Sequence, residues 1–152
     1  MATHASPVIR TLSEDDAREL LGRQSVGRIA FTLHDRVDIE PVHYVYDRGS
    51  LFGRTSSGSK LATLAHNPWV AAEVDEVHGL FEWRSVVARG AFYTVSPEGA
   101  PPEAAAWARG IELLRKLIPE TGTPDDPVAF RSIIFQVLLD GMSGREATPG
   151  NR

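Results

Sequence analysis

The sequence predicts a mainly β fold of the α+β kind: a small antiparallel barrel with helices packed beside it. Three observations carry that expectation. Six segments alternate apolar and polar residues, or run apolar, over strand lengths. The first strands are joined by turns at residues 34–36 and 47–49, too short for a parallel crossover. Helix-period segments occur only before, between and after groups of strands, not after each strand.

Each element has a local reason. Ser13 suits a helix N-cap, and Glu14, Asp15 and Asp16 put negative charge at the positive end of the dipole. Leu12 and Ala17 stand at staple positions, Leu20 and Leu21 face inward, and Gly22 stops the helix. Residues 26–33 (V-G-R-I-A-F-T-L) form a strand. Residues 37–46 alternate, with Val37, Ile39, Pro41, His43 and Val45 on one face. Pro41 has no N–H to give a ladder, so that strand has an edge or a bulge there. Residues 50–54 complete the hairpin. Residues 58–65 read as a short helix, with Leu61 and Leu64 inward and Asn67-Pro68 ending it. Strands follow at 69–77 and 82–95, and Gly90 marks a bulge or bend in the second. Residues 103–117 make the longest helix, with Ala104, Trp107, Ile111 and Leu114 as its stripe. A turn-rich loop over 119–127 leads to a last strand over 128–139. The chain thus reads as one domain over 13–146, with a loose tail over 1–12 and a frayed end over 147–152.

Composition excludes several functions. The 152 residues include no cysteine, so disulfides, thiolate catalysis and cysteine zinc sites are out. Sixteen basic and 20 acidic side chains leave a charge of −4, and neither half of the chain is basic, which disfavours nucleic acid as a partner. No apolar run approaches the roughly 20 residues of a membrane-spanning helix. A cytoplasmic location is expected. The five histidines show no metal-binding spacing, so no metal is expected.

The informative stretch is Arg54-Thr55-Ser56-Ser57-Gly58-Ser59-Lys60, delivered by a hairpin and opening a helix. Two cations, four hydroxyls and free helix N–H groups suit a phosphate. The spacing is not that of a P-loop. The same residues also read as a polar loop with a serine-capped helix. No Ser-His-Asp order or nucleophile elbow is present, so no catalytic residue is assigned.

Three ordered motifs resemble the flavin-binding split-barrel family typified by pyridoxamine 5′-phosphate oxidase. They are Pro41 to Tyr46; Arg54 to Leu61, followed by His66-Asn67-Pro68; and Trp83 to Gly90. Ser143-Gly144-Arg145 is similar to the family's closing motif. The resemblance implies a six-stranded antiparallel Greek-key split barrel with flanking helices. It implies that FMN phosphate meets Arg54, Ser59 and Lys60, with Thr55 and Ser57 in the same pocket. Pro41, Val42, His43 and Tyr44 would run along the isoalloxazine, and Trp83 and Ser85 would approach from a neighbouring strand or the other subunit. It further implies a homodimer with the cofactor at the interface, acting as an oxidoreductase on a small molecule. Related barrels bind a deazaflavin coenzyme or haem, and a carrier without turnover is a further alternative. Two features depart from the oxidase proper. Ser59-Lys60 stands where it has Arg-Lys, and its C-terminal W-x-x-x-x-x-R-L-x-x-R segment has no match. Arg131 and Arg145 are the nearest basic residues, and a divergent member is the expectation.

Overall fold

The computed structural model describes residues 6–150. The elements run β1 (Val8–Thr11), α1 (Glu14–Arg23), β2 (Val26–Leu33), β3 (Arg36–Asp47) and β4 (Ser50–Thr55). They continue through α2 (Ser59–His66), β5 (Trp69–Gly79), β6 (Glu82–Val95), α3 (Pro101–Leu114) and β7 (Ile133–Thr148). Pairings run β7-β4-β3-β2-β5-β6, and β6 pairs with β7 again, so six antiparallel strands close a ring. The split barrel with flanking helices expected from the sequence is present, with β1 added as a seventh strand.

Closure depends on β7. Its first residues pair with β4, and most of its length pairs with β6. The register jumps from Arg89↔Gly141 to Gly90↔Leu139, leaving Asp140 as an extra residue. That bulge bends the strand so the ring can close. Gly90 is required there, because a Cβ would stand 2.1 Å from the Leu138 carbonyl oxygen.

Residues 8–11 and 145–148 are paired where the sequence suggested a tail and the start of a frayed end. Val8–Thr11, read as part of a tail, pairs antiparallel with residues 145–148 of β7, which were in part read as frayed. The physical reason is Glu146, which is buried between two arginines. It accepts from Arg10 Nη2 at 2.8 Å and Arg84 Nε at 2.6 Å, one from each neighbouring strand. Residues 1–5 of the expected tail and 151–152 of the expected frayed end lie outside the described residues.

Tight turns set the hairpins. His34 and Asp35 (φ 50° and 62°) and Arg48 and Gly49 (φ 48° and 83°) carry the paired positive φ of two-residue hairpin turns. β3 pairs with β4 only from Tyr44 to Asp47, so residues 36–43 have a partner on the β2 side alone. Pro41 lies in that free-edged half, where its missing N–H costs nothing.

The barrel interior gathers Ile29, Phe31, Leu51, Leu64, Val74, Phe92 and Phe135. α1 covers one end through Leu20 and Leu21. Tyr44 ties it down by donating its hydroxyl to the Leu21 carbonyl at 2.5 Å. α3 packs Ile111 and Leu114 against Val95 and Ile134. It starts earlier than expected because Pro101 and Pro102 fit a first turn, where no N–H is needed. It ends at Leu114, and residues 115–131 form turns where a strand start at 128 was expected.

Candidate functional site

Where β3 and β4 part, α2 begins, and the three elements surround a cavity of about 370 Å³. Its floor is aromatic: Phe31, Phe92 and Phe135. Phe92 and Phe135 stack with centroids 4.7 Å apart. Gly53 permits this, since the Phe135 ring occupies the space a residue-53 side chain would need, 2.2 Å from its Cβ position. Thr55, Ser56, Lys60 and Glu40 give the rim its polar groups, Arg54 lines it beside them, and Pro41 and Val42 add an apolar stretch of β3.

Lys60 stands in the first turn of α2, with Nζ 2.5 Å from Glu40 Oε2 and 5.9 Å from the Phe31 ring centroid. The serine-capped alternative does not hold. The N-cap of α2 is Gly58, with no side-chain cap bond; the Leu61 N–H turns back to the Gly58 carbonyl at 3.2 Å, and those of Ser59 and Lys60 have no partner among the described residues. Ser57 and Ser59 lie exposed beside it, and neither lines the cavity.

Arg54 behaves differently from the sequence-based assignment. Its side chain is only 9% exposed and forms a two-pronged pair with Asp126, itself 2% exposed. Arg54 Nε also donates to the Arg131 carbonyl at 3.1 Å, and Nη2 to the Val128 carbonyl at 3.4 Å. Asp126 further accepts the backbone N–H of Gly122 at 2.9 Å and of Val128 at 3.0 Å. The Arg54 guanidinium, helped by those N–H groups, holds the Asp126 carboxyl well below the usual carboxylate range. Arg54 is therefore a clamp that pins the 115–131 loop to the end of β4.

That loop brings in residues that the motifs did not identify as cofactor contacts. Phe130 and Arg131 line the cavity, with the Arg131 guanidinium 5.6 Å from the Phe130 ring centroid. In the sequence Arg131 stood out only, with Arg145, as a nearest basic residue to the unmatched C-terminal segment of the oxidase. Asp126 carried no signal, because its partner lies 72 positions earlier. Glu40 read as a plain strand residue.

The remaining candidates are dispersed. The His43 side chain lies outside the first cavity. It lines a second one, of about 400 Å³, with Leu114, Leu117, Ile118 and Arg131. The Tyr44 side chain is in the core, and burial pushes its hydroxyl pKa up. Trp83 and Ser85 are on β6, opposite Ala147 and Arg145 of β7, and line neither cavity. The acidic residues near Asp75 are ion-paired: Asp75 and Glu73 with Arg28, Glu76 with Arg23. Among the described residues no group of three or more His, Asp or Glu is placed to hold a metal ion. No helix among them is long and apolar enough to cross a membrane.

Comparison with known proteins agrees with this architecture. The sequence pattern described as pyridoxamine 5′-phosphate oxidase matches residues 13–146. An uncharacterized protein of Rhizobium meliloti is 27% identical, the match covering 93% of this chain and 97% of that one. Among solved structures, an FAD-binding protein from Mesorhizobium loti superposes with a TM-score of 0.74 at 25% identity, covering 93% of this chain and 99% of the other. The FAD-binding protein from Mycobacterium smegmatis gives 0.63 at 28% identity, covering 91% and 98%. With the pattern running from the cap of α1 to the end of β7, the chain belongs to the pyridoxamine 5′-phosphate oxidase family.

Proposed function

We propose that this chain binds FMN in the cavity between β3, β4 and α2 and works as a flavin-dependent oxidoreductase. The observation that carries the reading is the cavity's two-part chemistry: an aromatic floor beneath a rim of Lys60, Thr55 and Ser56 at the start of α2, where the Ser59 and Lys60 N–H groups are without a partner among the described residues. A planar ring system with a phosphate ester on a polyol arm has matching parts. The likeness to two FAD-binding proteins, at 25% and 28% identity, supports a flavin. Bound flavin supplies hydride transfer at its central-ring nitrogen, from a reduced nicotinamide or a small organic donor that is oxidised in turn. The protein's share is positional. Lys60 holds the phosphate end, and the free edge of β3 at Pro41 and Val42 offers backbone groups to the polar edge of the ring.

The functional unit in this reading is a homodimer. Strand alternation and register put Val37, Ile39, Pro41 and His43 on one outer face with Trp69, Trp83 and Ser85. Val37 is 80%, Ile39 60% and Trp69 62% exposed, too much adjoining apolar surface beside an unpaired strand edge to leave in water. A two-fold contact over that face carries Trp83 and Ser85 of one subunit toward the cavity rim of its partner.

The test is spectroscopic. Protein mixed with FMN and freed of excess by gel filtration should keep the flavin spectrum, and a reduced nicotinamide should bleach it without oxygen. A colourless protein overturns the flavin assignment. Retained flavin that no donor bleaches leaves a binding protein and overturns the oxidoreductase. A monomer mass by light scattering overturns the dimer.

A further inference from the structure

Of the three cations around the first cavity, two are already engaged. Arg54 spends its Nε–H and both terminal nitrogens on Asp126 and on the carbonyls of Val128 and Arg131. Lys60 is neutralised by Glu40 at 2.5 Å. Arg131 alone among them has no carboxylate partner among the described residues, yet it is half-buried and lines both cavities. A half-buried guanidinium at a cavity wall, with no counter-charge, is ready for an anion.

We propose that Arg131 is the principal ligand of the cofactor's phosphate, with Lys60 as the second cation and Arg54 as a positioning residue that touches no cofactor atom. The proposal rests on the flavin reading and deepens it. The loop geometry supports it. Arg54 Nε holds the carbonyl of Arg131 itself at 3.1 Å, so the clamp fixes the backbone from which the Arg131 side chain springs. Asp126 fixes the loop's other residues through the N–H groups of Gly122 and Val128. The Phe130 ring centroid lies 5.6 Å from the guanidinium, within reach of a cation–π contact. The planar fork of an arginine matches two oxygens of a phosphate monoester, which a lysine cannot do. Thr55 and Ser56 share the lining and supply hydroxyls for the third oxygen. The arginine of the phosphate motif thus builds the site from behind, and a residue 77 positions later faces the anion.

FMN and riboflavin, which differ only in the phosphate, separate the possibilities. Each is titrated into the wild-type chain, Arg131→Gln and Arg131→Lys, following quenching of flavin fluorescence. Arg131→Gln should weaken FMN about 10- to 100-fold and leave riboflavin within about twofold. Arg131→Lys should recover part of the loss, since charge returns without the fork. Unchanged FMN affinity in Arg131→Gln overturns the proposal, and so does equal weakening of FMN and riboflavin. A wild-type chain that binds neither overturns the flavin reading, and the phosphate ligand falls with it.

Discussion

Glu40 should work against cofactor binding, and Glu40→Gln should tighten it. The carboxylate lies 2.5 Å from Lys60 Nζ, so any anion that uses Lys60 meets it at close range. A phosphate oxygen in contact with Nζ sits about 2.8 Å from it, which puts the two negative groups about 5 Å apart. One charge pair at about 5 Å repels by about 0.8 kcal/mol in water and about 3 kcal/mol at an effective dielectric of about 20. Glu40 is 40% and Lys60 25% exposed, so the screened end applies, about 1 kcal/mol. FMN should therefore bind Glu40→Gln about fivefold more tightly at low salt. At about 1 M salt, where the screening length is about 3 Å, most of that gain should vanish. Riboflavin should show no change at either salt. Calorimetric titration of both ligands reads all of this. An equal or weaker FMN affinity in Glu40→Gln at low salt refutes the reasoning, because it means that Glu40 does not face the phosphate.

Two further outcomes concern the frame around the cavity. Tyr44→Phe removes the one side-chain donor among the described residues on the Leu21 carbonyl, which lies in the last turn of α1, and should cost about 1–3 kcal/mol. Thermal unfolding should show a fall of roughly 2–4 °C per kcal/mol, and a shift below one degree means the carbonyl has found another partner. Asp126→Asn tests the clamp by its pH dependence. The folded carboxyl is depressed by Arg54, so its contribution is complete above the ordinary carboxylate range and is lost as pH falls toward the depressed value. The stability gap between wild type and Asp126→Asn should be widest from pH 6 to 8 and close steadily below pH 4. Denaturant melts across that range check it, and a gap independent of pH removes the charge from the explanation.

Local signals carried most of the fold. β2 and β6 begin and end where alternation and turn residues placed them, and Gly90, expected to mark a bulge or bend in its own strand, faces a bulge whose extra residue is Asp140 of β7. What sequence could not show depends on distant partners. Val8–Thr11 is four residues with no alternation to notice, and its strand character comes from residues 145–148. The last strand, expected over 128–139, runs instead over Ile133–Thr148. One bulged residue lets it continue past Leu139. The site divides the same way. The Arg54–Lys60 segment announced an anion by composition, but composition could not reveal that Asp126 claims Arg54. Nor could it reveal that Glu40 and Arg131, from a strand and a distant loop, complete the rim.

The position of β7 has a consequence during synthesis. Both seams of the ring, one with β4 and one with β6, are sealed by this last strand. Until Ile133 and the residues after it emerge from the ribosome, the earlier strands form an open sheet with two bare edges. Such edges recruit other chains. A nascent chain stalled before that point, or a fragment cut there, offers two sticky borders where the finished protein offers none at those seams. The sixteen-residue β7 therefore covers those two edges as well as closing the barrel.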